Sequence, residues 1–333
     1  MVLNIAVVGL GRMGKRHVHT LHYRVPRARV VAVCTTEPHE IEWAKSNPEY
    51  IEFGIAVYDD YNNMLASQAD LHAVWVSTST DVHAAQSLNA IEKGLHVLCE
   101  KPISTDLAEA QSVVDAAKAN PRLKVITGFS RRFDASYRDA AQKIQKGTIG
   151  KPFLVRSNTC DLKDETRFFV RYAARNGGIF VDCAIHDIDL TLWYMDNPVP
   201  KAAWVAGTLQ HHPELAENND VDNAVGIVEF WGGQDRITGT EGKVMVNVVP
   251  RANNVVVADK GGMRHEVQPE YWHRFEHAFA LEANDFVDAV LNDKPVPVEL
   301  ETGMAVMKIG QALQHALLSG EVVRFDEKGQ RLN

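Results

Sequence analysis

Several features are scarce or absent in this 333-residue sequence, and each absence excludes a class of protein. Only four cysteines occur and none forms a C-x-x-C pair, which argues against a disulfide-stabilised scaffold and favours reduced thiols. No apolar run reaches about 18 residues, so no transmembrane helix and no membrane partner are expected. Positive charge is not in excess: 35 Lys and Arg against 43 Asp and Glu leave a net charge of −8, which argues against a nucleic-acid partner.

What is present is typical of an ordinary globular protein. The hydrophobic fraction of 45% and the charged fraction of 23% permit a large buried core, and the length permits two domains. The first residues lack the basic and cleavage regions of a signal peptide and lead straight into an apolar stretch, so we expect a cytoplasmic protein. No internal repeat, low-complexity segment or linker interrupts the chain.

Short apolar stretches alternate with helical stretches in the first 128 residues. Strands are predicted at 3–8, 29–34, 73–77, 95–99 and 123–127, and helices at about 11–23, 37–46, 80–93 and 106–119. This alternation is typical of an α/β fold with a doubly wound parallel sheet and right-handed crossovers. We therefore predict a Rossmann dinucleotide-binding domain over residues 1–128.

The pattern changes in the rest of the chain. Consecutive strands with tight turns are predicted at 153–159, 224–231, 236–240, 243–249, 255–259 and 265–268, with a turn at Gly232-Gly233. Two helices, at about 273–291 and 302–318, follow. We predict a C-terminal α+β domain over residues 129–333, with a large, mostly antiparallel open sheet that packs closely against the first domain.

A glycine-rich turn follows the first predicted strand. Gly9, Gly11 and Gly14 match G-x-G-x-x-G, with Arg12 and Met13 between the last two glycines. The strand before this turn and the helix after it are the context that a dinucleotide-binding loop requires. The first glycine permits a tight turn, the second lets the pyrophosphate approach the backbone, and the third lets the helix pack on the strand. These five residues are therefore predicted to bind a dinucleotide cofactor at a helix N-terminus.

The end of the second predicted strand departs from the usual pattern, in which an acidic residue about 20 positions on binds the adenosine ribose. Thr35 occupies that position, and Glu37 follows two residues later. Loss of the acid makes NADP possible, yet no Lys or Arg lies between Arg29 and Lys45 to hold a 2′-phosphate. Glu37 could bind the ribose or could simply stabilise a helix N-terminus. The predicted cofactor is therefore NAD or NADP.

A charged turn, Glu100-Lys101-Pro102, ends the predicted strand at 95–99. Open α/β sheets bind their ligands at the carboxyl ends of the strands, so Lys101 is predicted to project over the nicotinamide. Glu100 is predicted to hold the turn beside the cofactor, while Pro102 stops the strand. The alternative is a surface turn with an ion pair.

A second polar cluster lies at residues 177–187. This stretch is predicted to be one helix that begins at a glycine pair, so Asp182 and His186 share a face. A histidine near a hydride acceptor is suited to removing an alcohol proton. One alternative is a structural hydrogen bond between the two side chains. A metal site that adds Cys183 and Asp187 is another alternative, but we predict none, because no partner cluster occurs elsewhere in the sequence.

Over nearly its whole length the sequence resembles the glucose-fructose oxidoreductase/inositol dehydrogenase (Gfo/Idh/MocA) family of NAD(P)-dependent oxidoreductases. Within the family it is most similar to the inositol 2-dehydrogenase branch, as judged by residues 131–134 and 182–189. The segments that carry the resemblance are VVGLGRMGKRH, VWVSTSTDVHAAQSLNAIEKGLHVLCEKPIS, GFSRRFD, GGIFVDCAIHDIDLTLW and FEHAFALEANDFVDAV.

The resemblance implies roles for individual residues. Lys101 and His186 would be catalytic, and Asp182 would bind the substrate and orient them. Thr78 and His83 match the segment that lines the nicotinamide side of the family's cleft, although Ser79 stands where the family usually has proline.

Further substrate contacts are implied beyond that segment. Ser130 and Arg131 match positions that approach cofactor and substrate. Asp161 and Tyr172 match substrate-loop positions, with plain surface residues as the alternative.

The implied chemistry is reversible hydride transfer between nicotinamide C4 and a secondary alcohol of a sugar or polyol. His186 would accept the hydroxyl proton. Lys101 would hydrogen-bond the same oxygen and, with its pKa depressed by the cationic nicotinamide, would share the proton. Two alternatives stay open: reduction of a C=N or C=C bond on the same fold, and a cofactor-binding regulator without turnover.

The resemblance also implies a homodimer or homotetramer that forms through the open face of the second-domain sheet. The apolar residues expected on that face are Val225, Ile227, Val244, Val246 and Val248. An uncovered apolar face would favour aggregation, which supports self-association. The alternative is that the terminal helices cover this face.

Overall fold

The structure is a computed structural model that describes residues 1–161, 163–231, 236–246, 251–268 and 270–333. The strands are β1 (Leu3–Val8), β2 (Ala28–Cys34), β3 (Ala56–Tyr58), β4 (Ala73–Val76), β5 (His96–Glu100), β6 (Val125–Gly128), β7 (Pro152–Phe153), β8 (Pro200–Thr208), β9 (Asn223–Phe230), β10 (Arg236–Gly239), β11 (Gly242–Lys243), β12 (Arg251–Asp259), β13 (Gly262–Val267) and β14 (Val323–Arg324). The α-helices are α1 (Arg12–Arg24), α2 (Pro38–Ser46), α3 (Pro48–Glu52), α4 (Tyr61–Ser67), α5 (His83–Glu92), α6 (Leu107–Ala119), α7 (Ala135–Gln145), α8 (Phe168–Asn176), α9 (Ile179–Asp182), α10 (Ile185–Tyr194), α11 (Tyr271–Leu291) and α12 (Leu300–Ser319). Short 3₁₀ helices cover Thr80–Val82, Ser130–Phe133 and Pro213–Asn218.

The N-terminal part forms a six-stranded parallel sheet in the order β3-β2-β1-β4-β5-β6. Its inner strands are mostly apolar, and Ala73–Val76 is apolar and buried throughout, because helices cover both faces of the sheet. The strand order reverses between β1 and β4, and at such a switch point the loops at the carboxyl ends diverge to leave a crevice. The predicted doubly wound Rossmann arrangement is confirmed.

The predicted elements are incomplete, and the missing ones include β8 and α7 as well as several shorter elements. The elements at Pro48–Glu52, Ala56–Tyr58 and Tyr61–Ser67 were not predicted, because three to seven residues are too few to establish a periodicity. The strand predicted at 95–99 continues through Glu100. This residue therefore lies within β5 and not in the turn that follows it.

The C-terminal part contains antiparallel pairs, as predicted. Strand β8 lies between β9 and β14, β10 pairs with β7 and β11, and β12 pairs with β13. The long strand predicted at 153–159 is wrong, because strand β7 covers only its first residue. Ser157 and Thr159 instead direct their hydroxyls to the Asp187 carboxylate in α10. The predicted turn at Gly232-Gly233 and residues 247–249 of a predicted strand lie outside the described residues.

Helix α12 covers the inner face of the β8–β9 pair. A side chain at Gly226 would come within 2.9–3.0 Å of Phe180 and Leu313, so this strand position requires glycine for close packing. The terminal helix thus covers one face, while Trp204, Val225 and Ile227 remain exposed on the other. Val244 and Val246, which we expected on the open face, pack instead against a small core beside α7, and Val248 lies outside the described residues.

Helix α11 connects the two parts of the chain. Phe286 packs edge-on against Trp75 of β4, with ring centroids 5.8 Å apart, and both side chains are fully buried. The division of the chain at residues 128/129 stays a prediction.

In the described part of the chain no helix combines the length and apolarity that crossing a membrane would require.

Candidate active site

A cavity of about 1770 Å³ opens at the carboxyl ends of β1, β2, β4 and β5. Its walls come from the glycine loop, the turn after β5, helices α8 to α10 and the β8–β9 pair. A pocket for one small ligand typically measures roughly 300–1,000 Å³. The cavity is therefore large enough for a dinucleotide and a second small molecule.

The glycine loop fits a dinucleotide. Gly9 has φ +86°, and a Cβ there would lie 2.5 Å from the Ser77 carbonyl oxygen. A Cβ on Gly14 would lie 1.7 Å from the Gly9 carbonyl oxygen, so α1 can approach β1 only with glycine there. A Cβ on Gly11 would meet only Glu40 Oε1, at 3.9 Å, and would otherwise project into open space. This open side, at the start of α1, is where a pyrophosphate would contact backbone N–H groups.

The two residues between the glycines contact the start of α11. The Arg12 guanidinium lies over the rings of Phe168 and Tyr271, 5.1 and 5.2 Å from their centroids. The Tyr271 hydroxyl lies 3.0 Å from the Met13 sulfur and accepts a hydrogen bond from Arg16. Tyr271 was not predicted as a site residue, because no local sequence pattern indicates that it contacts Met13, 258 positions earlier in the chain.

At the end of β2 a threonine replaces the expected acid and is itself buried. The Thr35 hydroxyl donates to Glu40 Oε2 at 2.5 Å, and the Glu37 backbone N–H donates to Thr35 Oγ1 at 3.3 Å. Glu37 is the N-cap of α2, and its side chain is exposed at the cavity wall. Glu40, which the sequence did not single out, is buried in the same wall.

The segment after β4 is held by hydrogen bonds around His83. Its Nδ1 lies 2.8 Å from the Pro102 carbonyl oxygen and its Nε2 lies 3.1 Å from the Thr78 carbonyl oxygen. The Thr78 hydroxyl donates to Gln86. Burial lowers the pKa of His83, with its two carbonyl partners acting in the opposite direction. Its ring therefore ties the loop after β4 to the turn after β5, and Thr78 and His83 both line the cavity.

Glu100 is buried at the cavity wall, between the turn after β5 and helix α1. Its Oε1 lies 2.7 Å from His17 Nε2 in α1, and its Oε2 accepts the Lys101 backbone N–H at 3.2 Å. Burial alone would raise the pKa of Glu100, but the hydrogen bond and charge of His17 hold it below its usual value. Glu100 thus connects the helix of the glycine loop to the backbone of Lys101.

Lys101 and Asp182 form a largely buried ion pair. The ammonium donates to Asp182 Oδ1 and to the Asp182 carbonyl oxygen, both at 2.8 Å. Burial alone would lower the pKa of Lys101, but the Asp182 carboxylate raises it above its usual value. The depressed pKa that we expected for Lys101 depends on a cationic nicotinamide beside it and stays a prediction, whereas Asp182 acts in the opposite direction. An ammonium carries three donors, and two are used here, which leaves one for a ligand in the cavity.

The helix predicted through Asp182 and His186 is broken. Helix α9 ends at Asp182 and α10 begins at Ile185, with the N–H groups of Cys183 and Ala184 both bonded to the Ile179 carbonyl. A continuous helix would commit the Asp182 carbonyl oxygen to the N–H of His186. The break frees this oxygen for the Lys101 ammonium, and the expectation of one uninterrupted helix is wrong.

His186 lines the cavity as a neutral imidazole. Burial, together with the nearby positive charges of Arg131 and Lys101, lowers its pKa well below the usual value. Its Nδ1 is buried without a hydrogen-bond partner, and the ring meets Phe129 edge-on at 6.4 Å. No hydrogen bond joins it to Asp182, whose Oδ2 instead accepts from Asn176 at 3.3 Å.

Arg131 belongs to a polar cluster on another wall of the cavity. Its guanidinium donates to Asp187 Oδ1 at 2.9 Å and to Thr159 at 2.8 Å. The Asp187 carboxylate also accepts from Ser157 and Thr159. Sequence reasoning missed the two hydroxyl residues, since it placed them in a strand.

The two substrate-loop candidates differ. The Tyr172 hydroxyl lies 2.9 Å from the Thr80 hydroxyl, and the Tyr172 ring stacks on Phe168. Asp161 is exposed at the rim of the cavity. Asp182 and Asp187, members of the alternative metal site, are each paired with a cation, and no group of three metal-ligating side chains occurs among the described residues.

The family was established by sequence comparison. A profile of the GFO/IDH/MocA oxidoreductase family, with an NAD-binding Rossmann fold, matches residues 3–129, and the profile of the GFO/IDH/MocA C-terminal domain matches residues 137–249. The chain is an oxidoreductase of the Gfo/Idh/MocA family. The predicted family resemblance is thereby confirmed.

Two similar proteins align with this chain over almost its whole length. The scyllo-inositol 2-dehydrogenase (NAD(+)) of Bacillus subtilis is 28% identical, over 97% of this chain and 96% of that protein. The myo-inositol 2-dehydrogenase of Thermotoga maritima is 26% identical, over 98% of this chain and 99% of that protein.

Solved structures of similar proteins show the same fold. Scyllo-inositol dehydrogenase from Lactobacillus casei, with bound NAD(H) and scyllo-inositol, has a TM-score of 0.89 at 28% identity and covers 97% of this chain and 99% of its own. Myo-inositol 2-dehydrogenase from Lactobacillus plantarum has a TM-score of 0.89 at 29% identity, over 98% of this chain and all of that one.

Proposed function

We propose that this oxidoreductase oxidises a secondary alcohol of a cyclitol or a similar polyol and, in reverse, reduces the ketone. The observation that carries the proposal is the Lys101–Asp182 ion pair beside a neutral His186, at the mouth of the glycine-loop crevice. The nicotinamide dinucleotide, when bound, supplies the acceptor or donor of the hydride. The open side of Gly11 and the backbone at the start of α1 would hold its phosphates, with Gly9 and Gly14 shaping the loop.

Lys101 acts as a fixed hydrogen-bond donor to the reacting oxygen. Because Asp182 keeps the ammonium charged, the remaining N–H stabilises the negative charge that develops on the alcohol oxygen. Its direction is set from two sides: Asp182 holds the ammonium, and Glu100 holds the backbone N–H. Asp182 therefore orients the lysine.

His186 acts as the general base in the oxidation. A base must be unprotonated before it accepts a proton, and the lowered pKa ensures this at neutral pH. Since Nδ1 is enclosed, Nε2 is the ring nitrogen that receives the hydroxyl proton. The nearby Lys101 and Arg131 charges favour return of that proton, which helps the reverse reaction.

The cavity walls support a polyhydroxylated substrate. Hydroxyls and charged groups line them on several sides, including Thr159, Tyr172, Arg131 and Asp161. Each hydroxyl of a polyol can donate and accept, so such a substrate can satisfy groups of both kinds. The relatives named for inositol oxidation support a cyclitol as the first substrate to test.

We also propose that two copies associate through the outer face of the β8–β9 pair. Trp204, Val225 and Ile227 expose apolar surface side by side there, because Trp204 pairs with Ile227 across the strands. Covering this face would remove it from water, which supports a homodimer or homotetramer.

The test is a substrate panel with the purified full chain. Scyllo-inositol, myo-inositol, several aldoses and a cyclic imine are each assayed with NAD and with NADP, or with the reduced forms for the imine. We expect cyclitol oxidation to exceed aldose oxidation and imine reduction. Preferential imine reduction, or cofactor binding without turnover of any alcohol, would contradict the proposal.

A further inference from the structure

A buried carboxylate lies beside the glycine loop where the expected acid at the end of β2 is missing. Glu40 belongs to the first turn of α2, five residues beyond Thr35, and is 8% exposed. The usual acid follows the second strand directly and binds the 2′-hydroxyl of the adenosine ribose in NAD-dependent proteins. Glu40 brings a carboxylate to this place from the next helix.

Two contacts fix its position. Oε2 accepts the Thr35 hydroxyl at 2.5 Å, which ties the carboxylate to the end of β2. Oε1 lies 3.9 Å from where a Cβ of Gly11 would be, which places it at the side of the loop that faces the pyrophosphate. The adenosine ribose of a bound dinucleotide must lie between these two points, since it connects the pyrophosphate to the adenine beyond β2.

A helix-capping role does not account for this position. A glutamate three residues into a helix often reaches back to the backbone N–H of the N-cap residue. Here the N-cap is Glu37, and its N–H donates to Thr35 Oγ1 instead. The Thr35 hydroxyl therefore serves both residues: it accepts from Glu37 and donates to Glu40.

The surrounding charges disfavour a 2′-phosphate. Such a phosphate would meet the Glu40 carboxylate, and like charges at close range strongly oppose binding. The Lys15 ammonium lies over the Trp43 ring, 4.3 Å from its centroid, and the Arg12 guanidinium lies over Phe168 and Tyr271. Both cations of α1 are thus engaged with aromatic rings, Lys15 with a ring of α2 and Arg12 with rings of α8 and α11.

We propose that Glu40, held by Thr35, binds the hydroxyls of the adenosine ribose and selects NAD against NADP. This inference deepens the proposed function, because it concerns the cofactor of the same site. It makes Glu40 a specificity-determining residue and Thr35 its positioning residue, while the exposed Glu37 has no part in the discrimination.

The test measures cofactor binding without any substrate. NADH and NADPH are titrated separately against the full chain, and the change in nicotinamide fluorescence gives each Kd. We expect the wild type to bind NADH about 10- to 100-fold more tightly than NADPH. This is the difference in affinity expected when one ligand makes a hydrogen bond to a charged group and the other cannot. In Glu40→Gln the ratio should fall at least about tenfold, since the amide keeps the shape but loses the charge. Glu42→Gln, an exposed glutamate of the same helix, is the matched control and should leave the ratio unchanged.

Further variants keep the proposal open to refutation. Thr35→Val should lower the ratio partly, because it frees the carboxylate without removing it, and thermal unfolding verifies that each variant is folded. Equal binding of NADH and NADPH by the wild type would overturn the inference, as would an unchanged ratio in Glu40→Gln or loss of the ratio in Glu37→Gln. The binding readout is independent of turnover: failure to oxidise any polyol would refute the proposed function but not the role of Glu40.

Discussion

Replacing Lys101 by methionine tests the role of its third donor. Methionine keeps an unbranched side chain of similar length but removes the ammonium that Asp182 holds at 2.8 Å. Loss of one preorganised donor to a developing oxyanion costs about 10²- to 10³-fold in kcat, or about 2.7–4 kcal/mol. We therefore expect kcat for cyclitol oxidation to fall by that factor, with the Kd for the dinucleotide within about threefold of wild type, since the glycine loop is untouched.

A double-mutant cycle sharpens this test. Asp182→Asn should also lower kcat, because the lysine loses the carboxylate that orients it and raises its pKa. In the double variant the second change should add little, since residues that act as one unit give non-additive effects. Lys201→Met removes the exposed pair with Glu229 and serves as the control. A Lys101→Met enzyme with kcat within about threefold of wild type, or strictly additive losses, would refute the reasoning.

Three further predictions concern pH and assembly. His186 has a lowered pKa, so kcat/KM for oxidation should be flat near neutral pH and should fall only below about pH 6.5. His186→Ala should lose this fall at acid pH, and its rate should drop about 10²- to 10⁴-fold. An inflection above neutral pH that disappears in His186→Ala would contradict the role of His186 as a neutral base. Glu282 is fully buried, and burial, together with the charge of Glu100, raises its pKa well above the usual value. Its neutral form therefore contributes stability below its unfolded pKa that is lost as pH rises through the folded pKa. Urea unfolding between about pH 5 and about pH 9 should show a smaller alkaline loss of stability for Glu282→Gln than for wild type. The control is Glu276→Gln, a half-exposed glutamate of the same helix that pairs with Arg24, and equal pH slopes in all three proteins would count against the buried acid. The double variant Val225→Lys/Ile227→Lys should have a smaller mass by light scattering than the wild type. Ile51→Lys, at an exposed position of α3, is the control and should leave the mass unchanged. An unchanged mass in the double variant would exclude the β8–β9 face as the interface.

Much of the fold could be predicted because its signals are local. The glycine loop, the apolar strand β1 before it and the helix after it lie within the first 24 residues, and their order alone indicates the crevice. Hairpin turns such as Lys260-Gly261-Gly262 likewise lie close to both strands that they join. Short elements such as β3 carried no such signal.

The site could be predicted only in part, because its decisive contacts join distant positions. Lys101 and Asp182 were each singled out, yet nothing in the sequence indicated that the helix breaks after Asp182 and frees its carbonyl oxygen for the lysine. Tyr271 reaches the glycine loop from the far end of the chain. Glu40 was not predicted, because a ribose-binding acid is expected directly after the second strand, whereas a helical turn brings a later residue back to Thr35.

We propose that the enzyme removes hydride from a carbinol carbon of a cyclitol and delivers it to nicotinamide C4. The most direct test uses inositol deuterated at every ring carbon, together with NAD, and mass spectrometry of the reduced cofactor. We expect each NADH formed to carry one deuterium, at C4, and kcat/KM to be no higher than with unlabelled inositol. NADH without deuterium, or no NADH from any cyclitol under conditions in which the cofactor binds, would refute hydride transfer from a cyclitol.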